Sequence, residues 1–259
     1  MDDLPEQYQV SDHTGFGDGA FAYSVGGYKL NYTAQTQVFR INVAESLIQT
    51  ALIWEDRAPM QNARADTASV VNNVQQFAIV AGGFSHENNF CSPLGSTERY
   101  NLATDTWTSL DDMREPRSDK VLVELDNDHV YAIGGERQID NFCSLTADTP
   151  VPGELTVAVD DVEVLHLDKG DWQSLSDLEF YRFRFAAASF KENGTFYTFG
   201  GQVAYNETCK CFDTTDEVVA YTLKEGFSPE DFETSAAFAA TMGATTIAAI
   251  IVSMLAALF

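Results

Sequence analysis

The residues of this chain best suited to chemistry are four cysteines, four histidines and the asparagines of three N-x-[ST] triplets. Cys91, Cys143, Cys209 and Cys211 could close disulfides or, as thiolates, hold zinc. Cys91 and Cys143 share a local sequence, Asn89-Phe90-Cys91-Ser92 and Asn141-Phe142-Cys143-Ser144. Four cysteines allow three pairings. A Cys209–Cys211 bridge would be strained, which disfavours the pairing that contains it. Zinc is the poorer reading, because no second Cys or His pair stands at ligand spacing. His13, His86, His129 and His166 are scattered, and no nucleophile motif or phosphate loop accompanies them. Asn31, Asn193 and Asn206 head the sequons, each in a turn or loop where a glycan could project.

The elements that position these residues repeat. Gly26-Gly27, Gly82-Gly83, Gly134-Gly135 and Gly200-Gly201 each close a short apolar run: AFAYSVGG, QFAIVAGG, HVYAIGG and TFYTFGG. Trp54, Trp107 and Trp172 follow the first three doublets. Met60, Met113 and Leu178 lie six residues beyond each Trp, and Arg64, Arg117 and Arg182 four residues further. The next doublet then begins 17 or 18 residues later. Cys91, Cys143 and Cys209 each lie eight residues after a doublet's second glycine, which predicts disulfides among equivalent loops on one face.

Doublet spacings of 56, 52 and 66 residues are near the ~50 of kelch repeats. The pattern closely resembles the kelch family over roughly residues 4–227. That resemblance implies an all-β chain of four-stranded blades around a central channel, a β-propeller. Strands are expected in SVVNN and KVLVEL, in the runs before the doublets, in STERYNL, DVEVLHL and DEVVAYTL, and in the Trp segments TWTSL and DWQSL. Asn193-Gly194 predicts a tight hairpin turn with both central residues at positive φ. The Trp rings are expected between neighbouring blades.

The register predicts about four blades. Leu4 takes the Met/Leu position, Tyr8 the Arg position, and Phe227 stands in weakly for a fourth Trp. Six or seven blades are usual in the family, so the ring reads as incomplete, the C-terminal part of a longer propeller. Two open blade faces of roughly 250 Å² each would forfeit about 12 kcal/mol of apolar burial, which rivals a typical domain's stability. The expected organisation is blades over 1–228, a linker over 229–235, and an uncharged segment over 236–259. That last segment reads as a GPI-attachment signal with Ser235 as lipid-attachment candidate, or as a transmembrane helix. MDDLPEQYQV has neither the basic start nor the apolar core of a signal peptide.

A formal charge of −24, from 39 acidic and 15 basic residues, repels nucleic acid and anionic lipid. Nothing in the residues calls for a cofactor or metal. The expected function is a non-enzymatic binding module, a membrane-anchored cell-surface recognition or adhesion protein that takes a protein or glycan through its propeller loops. The loops over 136–155 and 202–216 are the longest candidates. Two alternatives stand beside it: a tail-anchored intracellular kelch adaptor, and a fragment of a copper radical oxidase resembling galactose oxidase.

Overall fold

The structure, a computed structural model of the chain, describes residues 5–43, 53–140, 142–145, 155–175, 177–178 and 180–222. Phe227, the linker, Ser235 and the segment 236–259 lie outside the described residues. Among the described residues no helix is long and apolar enough to cross a membrane.

The strands form a propeller-like array of four blades. Blade 1 begins with β1 (Thr14–Gly17) and β2 (Phe21–Val25). A small hairpin of β3 (Tyr28–Lys29) and β4 (Thr33–Ala34) follows, then β5 (Val38–Asn42) and β6 (Trp54–Arg57). Its antiparallel order is β1-β2-β5-β6. Blade 2 consists of β7 (Ala68–Asn72), β8 (Phe77–Ala81), β9 (Thr97–Asn101) and β10 (Thr106–Leu110). Blade 3 consists of β11 (Val121–Glu124), β12 (His129–Gln138), β13 (Thr156–His166) and β14 (Asp171–Ser174). Blade 4 has β15 (Ala186–Phe190), β16 (Thr195–Phe199) and β19 (Val218–Thr222), with the hairpin β17 (Gln202–Asn206) and β18 (Cys211–Thr214) between the last two.

The innermost strands β1, β7, β11 and β15 neighbour one another in turn. Polar side chains tie them across the blades: Thr14 Oγ1 to Ser69 Oγ at 2.7 Å, Asn72 to Glu124, and Glu124 to Lys191. Every residue of β8 is buried, because a blade inside the array packs on both faces. That accounts for the unbroken apolar run ahead of each doublet, where a half-exposed strand would alternate.

Each pair of neighbouring blades encloses one core. Tyr23, Val25 and Val38 of blade 1 meet Ala78, Val80 and Tyr100 of blade 2 across Met60. The same arrangement recurs across Met113 and across Leu178. Trp107 and Trp172 lie between blades, whereas Trp54 packs beside Tyr8 and Phe39 of blade 1. Trp107 Nε1 donates to the Ala58 carbonyl (2.7 Å), and Trp172 Nε1 to Thr97 Oγ1 (3.0 Å).

The recurring arginine stitches blade to blade. Arg64 Nη1 donates to the carbonyls of Gly82 (2.9 Å) and Ser96 (2.8 Å), and Nη2 to Glu98 Oε1 (2.8 Å). Arg117 meets Gly134, Ala132 and Glu163 in the same way, and Arg182 meets Gly200 and Thr198. The backbone carbonyl of each arginine accepts from the preceding blade: Gly27 N at 2.9 Å, Gly83 N at 3.2 Å and Gly135 N at 2.8 Å. A side chain on the doublet would occupy the space of those carbonyls.

Two expectations are corrected. The Arg position in blade 1 belongs to Val10, two residues beyond Tyr8. The bridge Ser11↔Tyr28 matches Ala65↔Phe84, Ser118↔Glu136 and Phe183↔Gln202, and each of these follows its arginine directly. Tyr8 instead stacks beside Phe39 (4.8 Å between centroids) and Trp54 (5.7 Å). The Asn193-Gly194 hairpin is a four-residue connection, since Phe190 pairs with Thr195. Lys191–Asn193 forms a 3-10 turn there, and only Gly194 is left-handed (φ 59°).

Candidate functional site

The second strands of blades 1, 2 and 4 end at the doublet and that of blade 3 runs three residues past it, so the long loops that follow and the segments leading into the innermost strands share one end of the array. There the residue two beyond each arginine turns left-handed: Asp66 (φ 49°), Asp119 (φ 47°) and Arg184 (φ 50°), with Asp12 (φ 52°) equivalent in blade 1. Aspartate tolerates this conformation better than most side chains. The four residues hydrogen-bond in sequence around the inner rim: Asp66 N to Asp12 O (2.9 Å), Asp119 N to Asp66 O (3.0 Å) and Arg184 N to Asp119 O (3.0 Å). One position per blade therefore lines the channel mouth, acidic in three blades and basic in the fourth.

Side chains join this row into a network. Tyr28 Oη donates to Asp66 Oδ2 (3.0 Å), Arg184 Nε donates to Asp119 Oδ2 (2.7 Å), and Arg184 Nη2 lies 3.5 Å from Glu136 Oε1. Burial, then the neighbouring Asp119 charge, pushes Asp66 up to about 7 and Glu136 up to about 8. Burial and the Asp66 carboxylate also raise the Tyr28 hydroxyl. One guanidinium does not compensate three crowded carboxyls, and the mouth favours an incoming cation. The sequence signal for this site is the Arg-x-Asp spacing at Arg64-Ala65-Asp66 and Arg117-Ser118-Asp119, which the glycine doublets and tryptophans do not mark.

A raised carboxyl pKa lowers stability as pH rises. The folded chain holds a proton that the unfolded chain, titrating near 4, has released, so the contribution is complete below about pH 4 and is lost through about pH 7–8. Buried Lys120 acts in the opposite sense, because burial, then Arg117 and Arg64, drive its pKa well down. A comparison of variants separates the two. The stability of Asp66→Asn relative to the parent is expected to grow by about 2 kcal/mol between pH 5 and pH 8 in urea titrations. A difference independent of pH would show that Asp66 is not held protonated.

Around the mouth the loops clasp one another. Cys91 of the blade 2 loop is disulfide-bonded to Cys143 of the blade 3 loop, 52 residues away. Phe90 meets Tyr28 edge-on at 6.0 Å, and Ala34 N donates to His86 Nδ1 (3.2 Å), which ties the blade 1 loop in as well. The second bridge is Cys209–Cys211, against the sequence expectation. The hairpin of β17 and β18 turns at Lys210 (φ 57°) with Lys210 N donating to Asn206 O, which brings the two Cα atoms to 5.2 Å, within the usual disulfide range. Non-reducing peptide mapping is expected to recover both linked pairs. Cys91→Ser should cost about 2–4 kcal/mol by freeing a long loop in the unfolded chain; a cost near zero would mean the loops hold together without the bridge.

Leu30 (91% exposed) and Tyr32 (71%) stand out on the blade 1 loop beside a cleft of about 550 Å³ lined by residues 9–12 and 28–32. A second cleft of about 430 Å³ lies between the blade 2 and blade 3 loops, lined by Pro93, Pro116 and Arg137 among others. Asn31 (φ 76°) is exposed at this end, and Asn206 spends its side chain on Asp213 Oδ1 (3.0 Å) and Thr208 N (2.9 Å). Asn193 lies in the β15–β16 connection at the opposite end.

The histidines divide between the two ends. His13 and His86 lie near the loops, while His129 and His166 pair in register at the opposite end with rings 5.0 Å apart. The Asp126 carboxylate contacts His129 Nδ1 (2.9 Å) and raises the imidazole pKa. No group of three or more His, Cys, Asp or Glu side chains suited to a metal ion occurs among the described residues.

Residues 79–114 match the family model described as "Kelch motif". The fold is similar to that of the solved chain titled "Structure of YjhT", with a TM-score of 0.65 over 90% of this chain and 69% of that one. The two sequences are 14% identical, so the likeness concerns the fold alone. No curated protein matches the chain in sequence.

Proposed function

We propose that this chain, a propeller-like array of kelch-type blades, is a non-catalytic module that binds a protein on its loop end. The observation that carries the reading is the mouth: Asp12, Asp66 and Asp119 at one position in three blades, inside a rim of loops joined by Cys91–Cys143. Asp66 and Glu136, whose carboxyl pKa values burial pushes up, gain from a cationic side chain that replaces their protons. Exposed Leu30 and Tyr32 supply apolar area next to it, the mixture that protein interfaces use at their centres. The partner that fits presents an Arg or Lys flanked by apolar residues.

The further proposal is a cell-surface, membrane-anchored protein. Both disulfides, the sequons at Asn31, Asn193 and Asn206, and the uncharged 236–259 segment support it. The test is salt-dependent binding of the chain to panels of surface-expressed proteins. Leu30→Ser with Tyr32→Ser, or Asp66→Asn with Asp119→Asn, should abolish capture of a panel ligand, while Asp168→Asn at the opposite end should not. Equal loss in all three variants, or in none, would remove the loop end as the binding surface.

A further inference from the structure

His129 and His166 stand directly across from one another as the last pair of the β12–β13 ladder, at the end opposite the loops. Both belong to the middle strands of blade 3, which β11 and β14 flank. Their ring centroids are 5.0 Å apart, with the ring planes at 80°. Both histidines are half-buried, so the strands hold the pair while solvent still reaches it. Edge-to-face packing accounts for the contact between the rings but not for the hydrogen bonds around them.

Each ring is fixed on one nitrogen only. Both oxygens of the Asp126 carboxylate meet His129 Nδ1, at 2.9 and 3.0 Å. A carboxylate only accepts, so the neutral ring carries its proton on Nδ1 and its lone pair on Nε2. Asp126 is in turn held by the N–H of Asp128 (2.7 Å). Gln173 Oε1 accepts from His166 Nε2 (3.3 Å), which leaves the lone pair of that ring on Nδ1. An imidazole whose second N–H is bound by a carboxylate is the arrangement that metal-ligating histidines adopt. The spacing fits the same chemistry. Two imidazoles that share one tetrahedral zinc through nitrogens at about 2.0–2.1 Å have centroids about 5 Å apart. The Asp128 and Asp168 carboxylates also act on His129 from the adjoining turns, and they add to the attraction for a cation.

We propose that His129 and His166 bind one divalent transition-metal ion, Zn2+ or Cu2+, through Nε2 and Nδ1, with Asp126 as the positioning residue behind His129. Imidazole suits both ions. Two protein nitrogens leave open coordination positions, which water or a donor atom of a bound ligand fills. The ion clips β12 to β13 where the two strands are farthest from the connection over 139–155. The site lies at the opposite end from the acidic mouth and is independent of the reading given for that mouth.

Titration of the chelator-stripped full chain with Zn2+, in a mild detergent, tests this by calorimetry and by NMR of the isotopically labelled chain. Saturable binding of one ion per chain is expected, with the ring signals of His129 and His166 shifting while those of His13 and His86 stay in place. His129→Gln and His166→Gln should each abolish the binding heat. Asp126→Asn should weaken binding about 10-fold or more, and His13→Gln, exposed at the loop end, should bind as the parent does. The thermal midpoint should rise with Zn2+ in the parent and not in His129→Gln. The ring signals of the parent decide the matter should a substituted chain fail to fold. No saturable binding, equal movement of the signals of all four histidines, or heat that survives both His129→Gln and His166→Gln would each overturn the proposal. An unchanged affinity in Asp126→Asn would remove the positioning role.

Discussion

Arg117→Ala is expected to lower the unfolding free energy by about 3–5 kcal/mol, the usual cost of removing one partner of a buried ion pair. The side chain is 1% exposed and makes four hydrogen bonds. Nε donates to Gly134 O (2.9 Å), Nη2 to Ala132 O (3.0 Å), and Nη1 to Glu115 O (2.8 Å) and to Glu163. Truncation leaves the buried carbonyls of Gly134 and Ala132, and the partly buried one of Glu115, without that donor. It also leaves Glu163 with only the N–H groups of Arg114 (2.7 Å) and Glu115 (3.2 Å). The pair is not the only way to fill such a site. In blade 1 the Arg and Glu registers hold Val10 and Phe39, since Phe39 faces Ser24 as Glu163 faces Ala132. Replacing both Arg64 and Glu98 by Met and Leu should therefore cost clearly less than Arg64→Ala alone. Urea midpoints decide both; an Arg117→Ala cost under about 1 kcal/mol would show that the guanidinium does not hold the blades together.

Gly135→Ala should cost about 4 kcal/mol or more, and Gly19→Ala about 1 kcal/mol, although both glycines have positive φ. At Gly135 (φ 115°) a Cβ would lie 2.5 Å from the Ser118 carbonyl oxygen and 2.9 Å from Lys120 Cβ. Neither neighbour can yield, because Ser118 is bonded in both directions to Glu136 and Lys120 is enclosed between blades. At Gly19 (φ 89°) nothing lies within 4 Å, so only the backbone preference is lost. Equal costs at the two positions would mean that conformational preference, and not close approach between segments, explains the doublet.

Much of the fold could be read along the chain, because a blade is assembled from residues close in sequence. The runs ahead of the doublets became β2, β8, β12 and β16, and the Trp segments became the outer strands β6, β10 and β14. The regular intervals from Trp to Met or Leu to Arg follow from one repeated contact, in which the Arg carbonyl meets the previous doublet's second N–H. Where that contact lacks an arginine, counting residues misplaced it: Tyr8 fits the interval, but hydrogen bonding selects Val10. The Cys209–Cys211 bridge followed from a local left-handed turn at Lys210 that composition does not announce.

The mouth required the assembled array. Asp12, Asp66, Asp119 and Arg184 are separated along the chain by whole blades, and only the side-by-side packing of β1, β7, β11 and β15 makes them neighbours. His129 and His166 likewise met across a ladder whose register is set where the 17-residue excursion over 139–155 begins and ends in paired strand. Sequence intervals determined what each blade is, since strand periodicity and glycine conformations act within a few residues. Tertiary packing alone decided which charges meet, because the distance between blades is set by side-chain volume and interblade hydrogen bonds, and neither is counted along the chain.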